Sequence, residues 1–154
     1  MTAVSALELL CPRGALQPGP VLVFAWNMKL RNPLNAAWGN SLRSGFARSN
    51  EKKKHEERAR LETRRALARA RVRGADLLPC VVTMTRLGAG RLDDDGLAAA
   101  FKKIRDGIAA ELLVDDGSRF VRFLPRQRKA PPGTHGIEIA IWRGNLATMW
   151  DGDE

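Results

Sequence analysis

The stretch Ser44–Val72 holds no proline and few β-branched residues, and is built mainly from Ala, Glu, Lys and Arg. That composition predicts one long helix. Its apolar residues are sparse: Phe46, Ala59, Leu61, Ala66, Leu67, Ala68 and Ala70. Such a helix lies on a surface, with one narrow stripe packed and the rest in solvent. It cannot supply a core, so the apolar surface it rests on must come from elsewhere in the chain.

Short apolar runs provide that surface. VLVFAW at 21–26, bounded by PGP and by polar residues, reads as a buried strand. PCVVTMTRL at 79–87 is a second strand, ended by GAG, and SRFVRFL and GIEIAIW are two more, joined by the basic, proline-bearing loop PRQRKAPPGTH. Between the second and third strands, Gly96–Leu113 places Leu97, Phe101, Ile104, Ile108 and Leu112 at three- and four-residue spacings. That spacing makes one apolar helix face. NMKLRNPLNAAWGN, after the first strand, is a loop marked by Pro33, Gly39 and its asparagines. The expectation is a single α/β domain with a small mixed β-sheet and two main helices, in β-α-β-α-β-β order. Residues 1–19 read as a flexible leader, 20–143 as the domain and 144–154 as a short tail.

A length of 154 residues suits one domain. No apolar run approaches the roughly 18–20 residues of a membrane span, and the N-terminus lacks the basic start and apolar centre of a signal peptide. Cys11 and Cys80 stand outside any CxxC or Cys/His pattern, which argues against a structural zinc site or a disulfide framework. These features predict a cytoplasmic protein with no membrane partner. The net charge of +9 points to a polyanion. From Arg43 to Arg73 there are twelve lysines and arginines against four glutamates, an imbalance that favours phosphate contact over a self-balanced solvated helix. Lys52, Lys53, Lys54, Arg58, Arg60, Arg64 and Arg65 are the candidate DNA-binding cations, with Asn32 and Asn35 from the loop. Neither His55 nor His135 has a Ser or Cys partner pattern that would make a nucleophilic triad.

The acids are crowded instead. Seven of the seventeen fall between Asp93 and Asp116. Two origins compete for the run Asp93-Asp94-Asp95: an acidic helix cap, favoured by the orphan amides of a first turn, or a Mg²⁺ site, in which the ion removes the repulsion between neighbouring carboxylates. Asp95, Ala99, Lys102 and Asp106 fall on one helical stripe, so Lys102 is either a phosphate-directed cation or an ion-pair partner of Asp106. Asp115 and Asp116 follow on the turn after the helix. A helix of this length separates its ends by roughly 25 Å, so the turn meets Asp93 and Asp95 only if the chain runs back beside them or the helix is bent.

LDDDGLAAAFKKIRDGIAAELLVDD and, upstream, NPLN at 32–35 together resemble the RusA-like Holliday-junction resolvases, over about Val21 to Trp142. The resemblance implies a homodimeric, structure-specific endodeoxyribonuclease of recombination and repair that resolves four-way junctions by symmetric, Mg²⁺-dependent phosphodiester hydrolysis, with Mn²⁺ able to substitute. It implies branched DNA as partner and no small-molecule substrate. It makes Asp93, Asp95 and Asp116 metal ligands, with Asp115 a further candidate, and puts Lys102 in the place of the catalytic lysine. The family's asparagine after the second aspartate is here Gly96, a role that Asn32 or Asn35 would have to meet. That departure sustains an alternative: a catalytically weak or inactive branched-DNA-binding protein of the same fold.

Overall fold

The computed structural model describes residues 11–16, 19–32, 42–115 and 117–151, with backbone alone for 42–49. Four strands and two helices follow one another as β1 (Leu22–Trp26), α1 (Leu42–Ala70), β2 (Cys80–Gly88), α2 (Asp94–Glu111), β3 (Val121–Lys129) and β4 (Gly136–Arg143), with a short 3₁₀ turn at Gly74–Leu77 before β2. This is the expected β-α-β-α-β-β order. The sheet order is β1-β4-β2-β3, with β4 antiparallel to both its neighbours and β2 parallel to β3. Pairing Trp26 with Ile137, and Ile137 with Arg86, sets β1 and β2 in the same direction. The carboxyl ends of β1, β2 and β3 therefore gather at one end of the sheet.

Both helices pack on one sheet face. The alternate residues Leu22, Phe24 and Trp26 of β1, Cys80, Val82 and Met84 of β2 and Ile137, Ile139 and Ile141 of β4 bury there beneath Ala59, Ala66 and Leu67 of α1 and Phe101, Ile104 and Ile108 of α2. Period-two strands against period-3.6 helices account for this pattern. Burial pushes the Cys80 thiol up to about 12, so it is a core residue and no nucleophile. Where α1 crosses α2 the helices come close at Gly107: a Cβ there would stand 2.6 Å from the Glu56 carbonyl oxygen and 3.0 Å from the Ala59 Cβ. The glycine within α2 thus has a packing cause.

The other face is smaller. Val81, Ala140 and Trp142 pack there with Met149, flanked by Ala15 and Leu146. Leu16 donates its N–H to the Arg143 carbonyl at 2.7 Å, Ala15 bridges Gly144, and Arg122 donates to the Met149 carbonyl. Segments 11–16 and 145–151 are thereby part of the packed domain on either side of the 20–143 span. One boundary differs more sharply. β3 continues through Arg126, Gln127, Arg128 and Lys129, residues expected in a loop, and it carries Pro125 at its centre. As an edge strand, β3 has no strand partner on one side among the described residues, which is where a sheet tolerates proline.

The close crossing gives a direct test. Gly107→Ala should lower stability in urea unfolding by about 1–3 kcal/mol. Gly117→Ala, with nothing within 4 Å of the added carbon, should change it by no more than about 0.5 kcal/mol.

Candidate functional site

The acidic run is the start of α2. Asp93 is the N-cap (φ −68°, ψ 169°), and its Oδ1 accepts the Gly96 N–H at 2.8 Å. Asp94 and Asp95 open the first turn, and all three carboxylates are exposed. β2 ends at Gly88, so Asp93 and Asp95 are not successive residues on one side of a strand, as an extended chain would make them. The capping contact satisfies an orphan amide, and the helix dipole favours all three acids. Leu92, just before the cap, is clamped by Gln127 of β3: the Leu92 N–H donates to Oε1 at 3.0 Å and Nε2 donates to the Leu92 carbonyl at 2.7 Å.

Asn32 reaches the same place from the loop after β1. An added Cβ at Gly96 would fall 2.5 Å from Asn32 Nδ2, 2.8 Å from its Cγ and 2.5 Å from Asp93 Oδ1. The carboxamide of Asn32 fills the space that a side chain at position 96 would take. Gly96 and Asn32 are therefore complementary, and an amide does stand beside the Asp93 carboxylate. Asn35 and Asp116 lie outside the described residues.

Asp115 is brought elsewhere. β2 and β3 pair from Cys80↔Val121 to Gly88↔Lys129, so α2 starts at the Gly88 end and returns to the Val121 end. Its eighteen residues make a rise of about 27 Å. The exposed Asp115 lies beyond that far end, with its carbonyl accepting the Ser118 N–H at 2.9 Å. Among the described residues, no group of three or more His, Cys, Asp or Glu stands together to hold a metal. Lys102 is exposed on the stripe of Asp95, two turns further on or about 10 Å along the axis. Asp106 pairs with Lys103 at 3.4 Å, and Lys103 also reaches Glu56 at 3.8 Å. Among the described residues, then, Asn32 and Asp93 meet at Gly96 and Asp95 follows on the first turn of α2, while Lys102 stands two turns further along and Asp115 beyond the far end.

The candidate DNA-binding helix divides in two. Lys52, Lys53 and Lys54 are exposed and make no ion pair among the described residues. Arg60 and Arg64 converge on Glu111 at the end of α2, at 3.4 Å and 2.8 Å, while Arg58 and Arg65 share Glu62 at 2.9 Å and 3.5 Å. The four arginines are partly neutralised, and two of them dock α1 on α2. Glu56 lies against Lys103 and Arg64 against Glu111, so the helices run in the same sense and Lys52–Lys54 sit toward the acidic end. Burial alone would raise the Glu111 carboxyl, but hydrogen bonds and charge from Arg64 and Arg60 outweigh it and hold the group below its ordinary value.

Beside the acidic turn lies a cation-rich groove of about 400 Å³, walled by Arg86, Arg91, Arg128 and Lys129. Arg86 is 8% exposed. It donates from Nε to the Leu30 carbonyl at 3.0 Å and from Nη1 to the Gly90 carbonyl at 2.6 Å. It thus ties the loop carrying Asn32 to the loop carrying Asp93. Arg128 donates to buried Glu138 at 2.7 Å. These four were not singled out from the sequence, where they are scattered over more than forty positions. The available signal was the GAG after β2, facing a basic PRQRK segment. No family model, curated protein or solved structure matches the chain.

Two outcomes follow. Gly96→Asn, although it introduces the asparagine of the family pattern, should clash with Asn32 and cost about 1–3 kcal/mol in urea unfolding, most of it recovered by adding Asn32→Gly. For Glu111 the folded pKa is depressed, so its contribution is present above the unfolded value of about 4.3 and lost as pH falls through the folded one. The Tm deficit of Glu111→Gln should therefore be present at neutral pH and fade in acid; a deficit independent of pH would show that the carboxylate charge is not its source.

Proposed function

We propose that the chain is a Mg²⁺-dependent, structure-specific endodeoxyribonuclease that cuts four-way DNA junctions as a homodimer. The observation that carries this is the placing of exposed Asp93 and Asp95 beside a cation-rich groove, at the carboxyl ends of three strands. In open α/β sheets that end is where ligands bind. The donor set suits magnesium, which is commonly held by one or two carboxylates with water and substrate phosphate. Asp93 and Asp95 would hold it; Asp93 has one oxygen committed to the Gly96 N–H, and Asp95 accepts no bond among the described residues. Bound there, Mg²⁺ supplies activation of water and neutralisation of charge on the phosphate.

The protein's own groups do the rest. Arg86 and Gln127 fix the two loops, Asn32 flanks the Asp93 carboxylate, and Lys52–Lys54 extend the positive surface toward the same end. A two-fold dimer suits a substrate in which two symmetric strands are cut.

One observation favours a second reading. Asp115 lies at the far end of α2, so among the described residues it does not join Asp93 and Asp95. A protein of this design that binds branched DNA without cutting it fits that arrangement, and the same experiment separates the two.

A labelled mobile four-way junction incubated with the protein and Mg²⁺ should yield paired symmetric cuts. Asp95→Asn should reduce the rate by about 100-fold or more, corresponding to the several kcal/mol a metal supplies to such a transition state. Tight binding of the junction with no cuts, under Mg²⁺ and under Mn²⁺, would leave the binding protein and remove the nuclease.

A further inference from the structure

The groove beside the acidic turn has an uncompensated charge. Arg91 and Lys129 are exposed and pair with no carboxylate among the described residues. Arg128 is offset by Glu138, which is only 5% exposed. Arg86 is the unusual member. It is more than nine-tenths buried, it bonds two backbone carbonyls and no acid, and its Nη2 makes no hydrogen bond among the described residues. Burying a cation without an anion is costly, and here burial pulls the guanidinium below its ordinary value. Among the described residues, no carboxylate lines the groove. The loop Gly88-Ala89-Gly90 adds nothing larger than a methyl group to its wall, and an added Cβ at Gly90 would meet no atom within 4 Å. A ligand can therefore come close to the backbone there.

We propose that this groove is a subsite for backbone phosphate of a nucleic-acid strand, with Arg86 Nη2, Arg91 and Lys129 as the donors. The inference rests on the nucleic-acid part of the proposed function and not on cleavage or metal. A guanidinium wall favours phosphate because its planar donors match the oxygens, and the strand supplies the anion that Arg86 lacks. The Gln127–Leu92 clamp joins the groove to Asp93, so a strand seated on the cations passes the carboxylates within the same turn of chain. Arg128 is held by Glu138 as a supporting wall. A free anion would satisfy the same donors and is the competing source of the chemistry.

The test is fluorescence anisotropy with a labelled linear duplex and a labelled four-way junction, over a salt series. The Arg91→Ala/Lys129→Ala double variant should bind both about tenfold or more weakly at low salt, and its slope of log K against log salt should be shallower by about 1.5–2, the loss of two phosphate contacts. Both residues are exposed, so an unchanged Tm should accompany the loss, and Arg91→Lys/Lys129→Arg should retain most of the slope. Unchanged affinity and slope in the alanine variant would overturn the subsite. A variant that loses calorimetric binding of inorganic phosphate while its DNA affinity is unchanged would likewise overturn it, by assigning the groove to a free anion. If the alanine variant shows these losses and the wild type leaves junctions uncut, only the nuclease is removed, whereas a wild type that binds neither DNA overturns both proposals.

Discussion

A buried guanidinium organises the end of the molecule where chemistry is possible. Arg86 enters from near the carboxyl end of β2 and gives two donors to the carbonyls of Leu30 and Gly90. Hydrogen bonds to charged groups contribute about 1.5–3 kcal/mol each, and without the arginine those carbonyls would lose their charged partner. The two loops it joins leave different strands, and their described residues, 27–32 and 89–93, have no regular secondary structure to hold them. Gln127 adds a second clamp on Leu92. The cap at Asp93, the position of Asn32 and the shape of the groove all follow from loops made rigid by these two side chains.

The sheet and helices were legible because their signals are local. Alternation in LVFAW and the spacing of Leu97, Phe101, Ile104 and Ile108 match the burial the fold gives them. The end of the third strand was not legible. Pro125 and a run of cations signal a loop in isolation, and only the edge position of β3 makes them compatible with a strand. The acidic run was ambiguous for a similar reason, since a cap and a metal ligand use the same residue; the Asp93–Gly96 contact shows the cap and leaves the second role to experiment. Asn32 beside Gly96 depends on two loops meeting across the sheet end, which no spacing along the chain encodes. The groove is hidden in the same way, since Arg86, Arg91 and Lys129 belong to two strand ends and a loop.

Charge on α1 has two uses that composition merges. Twelve cations from Arg43 to Arg73 read as one phosphate-facing surface. The fold assigns Arg60 and Arg64 to the seam with α2, through Glu111, and gives Arg58 and Arg65 a partner within the helix. Among the described residues, Lys52, Lys53, Lys54, Arg69 and Arg71 are exposed and in no ion pair, and these remain open to a polyanion. Arginine's forked donors suit the carboxylate of Glu111, which Arg60 and Arg64 share.

The outer edge of the sheet carries a consequence of its own. β3 is nine residues long and, among the described residues, has no strand paired to its outer side, a length that could template another chain. Pro125 removes one donor from the middle of that strand, and Arg122, Arg126, Arg128 and Lys129 give it a density of like charge that a second copy would have to approach head on. The opposite edge, β1, is only five residues long. The same basic strand that shapes the groove thus carries proline and charge, the features by which sheet edges oppose pairing with another chain.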